Sequence, residues 1–160
     1  MSKVIYPGTF DPITLGHMDV LKRIAKIFDC IILGVAADSR KNTLFSVEER
    51  VAMARNEMQE QGLKNVEVQS FNGLLVDFAR RVDSKIIVRG LRAVSDFEYE
   101  FQMSYINNKL TSDIETMFIP ATANGHFISS SFVKEIARLD GKLEGLASSY
   151  VIEKLKEKNA

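Results

Sequence analysis

The sequence predicts one doubly wound α/β domain, a five-stranded parallel sheet with helices on both faces. Short β-branched runs alternate with stretches whose apolar residues recur every three or four positions. All five β-branched runs read as buried, and a length of 160 residues suits one domain with a core of its own.

Lys3 to Tyr6 is the first strand. Leu15, Met18, Leu21, Ile24, Ala25 and Phe28 then predict a helix over Leu15 to Phe28 that lays a single stripe on the sheet. Cys30 to Ala36 is the second strand, and Ser46-Val47-Glu48-Glu49 reads as a capping box opening the next helix. Val66 to Ser70 is the third strand, followed by a short helix over Leu74 to Val82. After the fourth strand, Lys85 to Arg89, Ser95-Asp96-Phe97-Glu98 reads as a second capping box. Glu115 to Ile119 is the fifth strand, and helices from about Ser130 to Leu139 and from Ser148 to Lys158 close the chain. Strands alternating with helices imply parallel pairing and right-handed crossovers, a Rossmann-like arrangement. In such sheets ligands bind beyond the carboxyl ends of the strands, where strand order reverses, so the loops after strands carry the search for function.

Composition narrows the classes. Hydrophobic residues make up 46% and charged residues 26%, which excludes disordered and collagen-like chains. Lys plus Arg number 21 and Asp plus Glu 21, so no global charge draws the chain to nucleic acid or an anionic membrane, and any anion site is a local cluster. The single cysteine, Cys30, lies in an apolar run as a buried, inert thiol and excludes internal disulfides. Neither a signal peptide nor an apolar stretch of membrane-spanning length is visible, so a cytoplasmic location is expected.

Three loops carry unusual chemistry. After the first strand comes Pro7-Gly8-Thr9-Phe10-Asp11-Pro12, then Thr14-Leu15-Gly16-His17 at a helix start. Free backbone N–H groups and the positive end of the helix dipole favour phosphate there, Gly8 and Gly16 permit close approach, and Thr9 adds a hydroxyl. His17 alone would read as a first-turn cap; its place after a glycine in a phosphate-suited loop points to an anion donor. Neither a Gly-x-x-x-x-Gly-Lys loop nor a Gly-x-Gly-x-x-Gly turn occurs, which argues against a P-loop ATPase and a dinucleotide-binding dehydrogenase. After the second strand, Lys41 lies in a polar loop that is either a solvated charge run or a phosphate contact. After the fourth, Arg89 and Arg92 flank Gly90 and Leu91 as a charged clamp. After the fifth, Ser129, Ser130 and Ser131 place three hydroxyls at another helix start.

Thr14-x-Gly16-His17 is a variant of the His-x-Gly-His signature of nucleotidyltransferases, and Gly8-x-Phe10-Asp11-Pro12 is its usual companion. With the segments Tyr6 to Thr14, Arg89 to Glu100 and Phe127 to Ser131, the chain resembles the phosphopantetheine adenylyltransferases over nearly its whole length. The resemblance implies transfer of the adenylyl group of ATP to 4′-phosphopantetheine, giving dephospho-coenzyme A and pyrophosphate. It implies that Thr9, Lys41, Leu75, Arg89 and Asn107 hold phosphopantetheine, with Leu74 to Val76 a wall for its pantetheine arm. Thr9, Phe10, His17, Gly90, Leu91, Arg92, Glu100 and the segment Gly125, His126, Phe127, Ile128, Ser129, Ser130 and Ser131 would contact ATP. His17, Thr9 and Lys41 would serve the α-phosphate directly. It further implies magnesium carried with ATP, a homohexamer and coenzyme A as a feedback inhibitor. Two departures stand out: Gly125 replaces a bulky aromatic, so the adenine contact would rest on backbone atoms, and Gly141-Lys142-Leu143 and Ala147-Ser148 replace the usual C-terminal segments. Two other readings stay open, a non-catalytic nucleotide-binding module and a sister transferase with another phosphorylated acceptor.

Overall fold

The computed structural model describes residues 1–37, 42–123 and 128–160, with all their side chains except those of Val94 and Ser95. Strands β1 (Lys3–Gly8), β2 (Cys30–Ala36), β3 (Val66–Phe71), β4 (Ile86–Leu91) and β5 (Glu115–Pro120) form one parallel sheet in the order β3-β2-β1-β4-β5. The helices are α1 (Leu15–Ile24), α2 (Val47–Glu60), α3 (Leu75–Arg81), α4 (Val94–Leu110), α5 (Ser130–Arg138) and α6 (Ser149–Asn159).

Successive strand residues point to opposite faces, and this splits the core in two. Val4, Tyr6, Leu33 and Val88 pack with Leu21 of α1, Met53 of α2, Val133 of α5 and Val151 of α6. Ile5, Ile32 and Ile87 pack on the other face with Val76 and Phe78 of α3. The doubly wound architecture expected from the sequence is therefore present.

Several local expectations are corrected. The first helix stops at Ile24 and passes through turns to Phe28, which is buried all the same. The box at Ser46 forms as expected, with Ser46 Oγ accepting from the Glu49 N–H and Glu49 returning the bond to the Ser46 N–H. The box at Ser95 does not open its helix. Its N-cap is Ala93, and the carboxylate of Asp96 closes the turn by accepting from the Arg92 N–H at 3.2 Å. Nor are all five strands buried: β5 is an edge strand whose residues alternate in exposure, with Met117 41% exposed.

The altered C-terminal segment packs firmly. Leu143 and Ala147 are buried in the core beside Val151 and Leu155, and Ser148 caps α6 by accepting from the Val151 N–H. The Leu146 carbonyl accepts from the Leu15 N–H at the start of α1, so this segment braces the first helix. α4 lies on β4 and β5 and leaves Phe97, Phe101 and Tyr105 exposed along with Tyr99, Ile106 and Leu110.

Candidate active site

β1 and β4 are neighbours, but the chain leaves β1 towards β2 and leaves β4 towards β5, on opposite sides. Among the described residues no connection covers the gap, and a crevice opens at the carboxyl ends of the two strands. A cavity of about 560 Å³ lies there, walled by the loops after β1 and β4, one face of α4 and the start of α5. Every site residue expected from the sequence that falls among the described residues lines it, apart from Leu74 and Val76 of the expected apolar wall. Lys41, Gly125, His126 and Phe127 lie outside the described residues.

His17 occupies the third position of α1, where a capping box ordinarily has Glu or Gln. Its Nδ1 accepts from the Thr14 N–H at 3.0 Å, while Thr14 Oγ1 accepts from the His17 N–H. Nδ1 is thus an acceptor and the hydrogen sits on Nε2. Burial, with the charges of Arg92 and Arg89 adding to it, lowers the imidazole pKa to about 3. The ring is therefore a neutral donor, and its capping and donor roles use different nitrogens.

The start of α1 offers fewer free N–H groups than the sequence suggests. The Leu15 N–H is taken by Leu146 and the His17 N–H by Thr14, leaving Gly16 as the first-turn N–H without a partner among the described residues. Phe10 is buried and packs edge-on against Tyr6 and His17, at centroid distances of 5.5 and 4.9 Å. It takes a φ of 49°, a left-handed conformation seldom adopted by bulky residues. A side chain at Gly8 would place its Cβ 3.0 Å from the Phe10 ring, so this glycine makes room for Phe10.

Across the cavity, Arg89 donates through Nε and Nη2 to the two oxygens of Glu100 at 2.8 and 2.6 Å, and through Nη1 to the Pro7 carbonyl. Burial opposes its charge, but the hydrogen bonds and charge of Glu100 outweigh this and raise its pKa above the ordinary value. Glu100 thus orients Arg89 in a forked pair. Arg92 gives Nε to Asp96 at 3.2 Å and keeps its terminal nitrogens without partners among the described residues.

At α5, the three serines differ. Ser129 Oγ caps by accepting from the Phe132 N–H, and Ser130 Oγ donates to the Pro12 carbonyl at 2.7 Å. The backbone N–H groups of Ser130 and Ser131 and the Ser131 hydroxyl remain as donors without partners among the described residues. The apolar wall expected from Leu74 to Val76 reduces to Leu75. Leu74 is 54% exposed as the N-cap residue of α3, and Val76 is turned into the core.

Sequence reasoning missed several lining residues. Met103 and Ser104 follow Glu100 and precede Asn107 at helical spacing, so the 100–107 face of α4 was readable once Glu100 was suspected. Lys134 lies one turn beyond Ser130, and its Nζ meets Asp11 at 2.7 Å. The carboxylates lining the cavity, Asp11, Asp96 and Glu100, are all paired with basic side chains. Among the described residues no group of three or more His, Cys, Asp or Glu side chains could hold a metal, and no helix is long and apolar enough to cross a membrane.

The cytidylyltransferase-like family model matches residues 5–136. A phosphopantetheine adenylyltransferase of Wolbachia pipientis subsp. Culex pipiens is 54% identical over 147 residues, spanning 92% of this chain and 87% of its own length. One from Dictyoglomus turgidum is 51% identical over 158 residues, 99% of this chain and 98% of its own. The solved nicotinic acid mononucleotide adenylyltransferase of Plasmodium falciparum, complexed with NaAD, superposes with a TM-score of 0.78 over 99% of this chain and 97% of its own; at 15% identity that likeness concerns the fold alone.

With the folded imidazole at about 3 and an ordinary value of 6.5, the unfolded chain takes up the proton first as pH falls. The stability linked to this group is complete above pH 6.5 and is lost progressively towards pH 3. In histidine-edited nitrogen–proton NMR spectra, His17 should hold its Nε2–H form from pH 8 to about pH 5; a titration midpoint near 6.5 would refute the buried neutral donor.

Proposed function

The chain belongs to the phosphopantetheine adenylyltransferases, and from that premise we propose how its cavity joins ATP to 4′-phosphopantetheine. It transfers the adenylyl group of ATP to the acceptor, releasing dephospho-coenzyme A and pyrophosphate. In our reading an oxygen of the acceptor's phosphate attacks the α-phosphorus in line, the bond from that phosphorus to the bridging oxygen breaks, and its electron pair leaves with pyrophosphate. The nucleophile is already anionic at neutral pH, so the protein needs no general base and no covalent intermediate. Its work is positioning and charge stabilisation.

The observation that carries this reading is the convergence of neutral His17, the Thr9 hydroxyl, paired Arg89, Arg92 and the α5 start on one cavity. His17 Nε2–H and Thr9, with Lys41, serve the α-phosphate. Phe10, with its ring packed away, offers backbone rather than side chain to ATP. Arg92 and the Ser129–Ser131 helix start receive the charge gathering on pyrophosphate, while Gly90 and Leu91 bring backbone to the same wall. Gly125, His126, Phe127 and Ile128 complete the nucleotide side. Arg89, Leu75 and Asn107 hold the acceptor, with Glu100 orienting Arg89. Coenzyme A shares the pantetheine arm and would compete for that subsite.

Magnesium carried with ATP would supply neutralisation of phosphate charge there. The cavity's carboxylates are already paired, which suits an ion held by phosphates and water. A cytoplasmic location fits these substrates. Exposed Phe97, Phe101 and Tyr105 on α4 support self-association, and we assign the assembly as a hexamer.

The deciding experiment is a panel of acceptors. Pyrophosphate release should single out 4′-phosphopantetheine over nicotinamide mononucleotide, glycerol 3-phosphate and phosphocholine, because a site built for polar groups rejects acceptors that leave them unpaired. Release with nicotinamide mononucleotide and none with phosphopantetheine would sink the assignment.

His17→Ala should lower turnover about a hundred- to a thousandfold, as loss of one preorganised donor does. His17→Gln can still accept from the Thr14 N–H and should recover the cap's thermal stability without the turnover. Equal turnover in His17→Gln and the parent would demote His17 to a cap.

Phe101→Glu with Tyr105→Glu should reduce the mass seen by sedimentation while leaving the far-ultraviolet spectrum intact, since buried unpaired charge opposes assembly. An unchanged hexamer would place the interface elsewhere.

A further inference from the structure

Arg50, on α2, is 2% exposed and has no role among the cavity's donors. Its Nη1 donates to the Thr9 carbonyl and to the Ala36 carbonyl, both at 2.8 Å, and its Nε donates to the Phe45 carbonyl at 3.2 Å. No carboxylate forms a salt bridge with it among the described residues. One buried guanidinium thus fastens three separate stretches of backbone: the loop after β1, the end of β2, and the residue before the N-cap of α2. Asp11 reinforces the same junction, accepting from the Leu44 and Phe45 N–H groups at 2.9 and 3.0 Å and from Lys134.

A buried charge whose hydrogen bonds among the described residues all go to neutral carbonyls is a costly way to fill space, and an apolar side chain of similar volume would stabilise a core as well or better. What a guanidinium does that an apolar group cannot is fix three carbonyls in a rigid planar fork. Two of those carbonyls, of Ala36 and Phe45, stand on either side of the stretch between β2 and α2. The third belongs to Thr9, whose hydroxyl side chain lines the cavity and has no partner among the described residues.

We propose that Arg50 is a positioning residue for adenylyl transfer, setting the loop after β1 against the end of β2 so that Thr9 meets the reacting phosphate in register. The inference rests on the reading of Thr9 given above. Arg50 touches neither substrate; it acts through Thr9.

The test is a double-mutant cycle of Arg50→Lys and Thr9→Ala in the full chain. It is read as kcat and KM for pyrophosphate release with ATP and 4′-phosphopantetheine, beside thermal unfolding and calorimetric ATP binding. Arg50→Met serves as a second probe, keeping bulk without charge. Lysine keeps the charge but cannot hold three carbonyls at once, so Arg50→Lys should fold and bind ATP within about threefold of the parent while kcat falls by up to about a hundredfold, the scale of a small misplacement of reacting groups. The double variant should lose little beyond the larger single loss, because coupled residues are not additive. Losses that multiply, or an Arg50→Lys kcat within about twofold of the parent, overturn the proposal. So does a chain that no longer folds in either Arg50 variant, which would make the residue structural only. Unchanged turnover in Thr9→Ala would overturn the reading of Thr9 and this inference with it, whereas an impaired Thr9→Ala beside a normal Arg50→Lys overturns the inference alone.

Discussion

The structure depends on a topological constraint: β1 and β4 are hydrogen-bonded neighbours whose connections depart to opposite sides. Neither crossover can cover the carboxyl ends of both strands, so backbone, helix starts and side chains there face a gap. Everything chemical about this chain is arranged around that gap. From one side come Thr9 and His17, from the other Arg89 and Arg92, and α5 closes the end with N–H groups that have no partner among the described residues. The same constraint explains why residues so distant in sequence meet.

In our reading the cavity attracts phosphate in a chain with no net charge, and the pairing of its own carboxylates suits that task. Glu100 is spent on Arg89, Asp96 on Arg92 and Asp11 on Lys134 and two backbone N–H groups. Pairing leaves the arginines charged and aimed, since a forked partner removes rotamer freedom that a lone surface arginine would keep. His17 follows the opposite logic. Nearby arginines and burial hold it neutral, so it contributes a directed N–H where another full positive charge would have been repelled. Fixed donors of this kind need little reorganisation when charge develops.

How much of this was legible depended on how local each signal was. Alternating runs gave all five strands because burial and β-propensity act within six or seven residues. The cavity-lining loops were legible for the same reason: glycine, hydroxyl and histidine sit within one turn of a helix start. The Ser46 box was read correctly, yet the same pattern at Ser95 misled, because α4 begins earlier, after the N-cap Ala93, and Ser95 already lies within its first turn. α4 hid its cavity face, since a helix with one side on a site and others exposed has no clean apolar stripe. Val76 went into the core rather than the cavity through helix phase, which a three-residue apolar run does not reveal. Arg50 was out of reach altogether, as its partners Thr9 and Ala36 lie 41 and 14 residues away.

The loop after β1 connects these findings, because in our reading both substrates are held against it. Its conformation is unusual for its sequence: Phe10 adopts a left-handed φ with a ring buried under Gly8, an arrangement that persists only where surroundings over-determine it. Those surroundings are on all sides. Tyr6 and His17 hold the ring, Arg50 holds the Thr9 carbonyl, Ser130 holds the Pro12 carbonyl, and Lys134 holds Asp11. The last two bonds come from α5, so the helix that receives pyrophosphate charge in our reading is tied to the loop that faces the α-phosphate. In our reading the reaction needs no base and so depends on distance and alignment, and small errors in either are costly. The buried polar contacts beneath this loop are therefore better understood as fixing the distance between two phosphates than as adding stability to the fold.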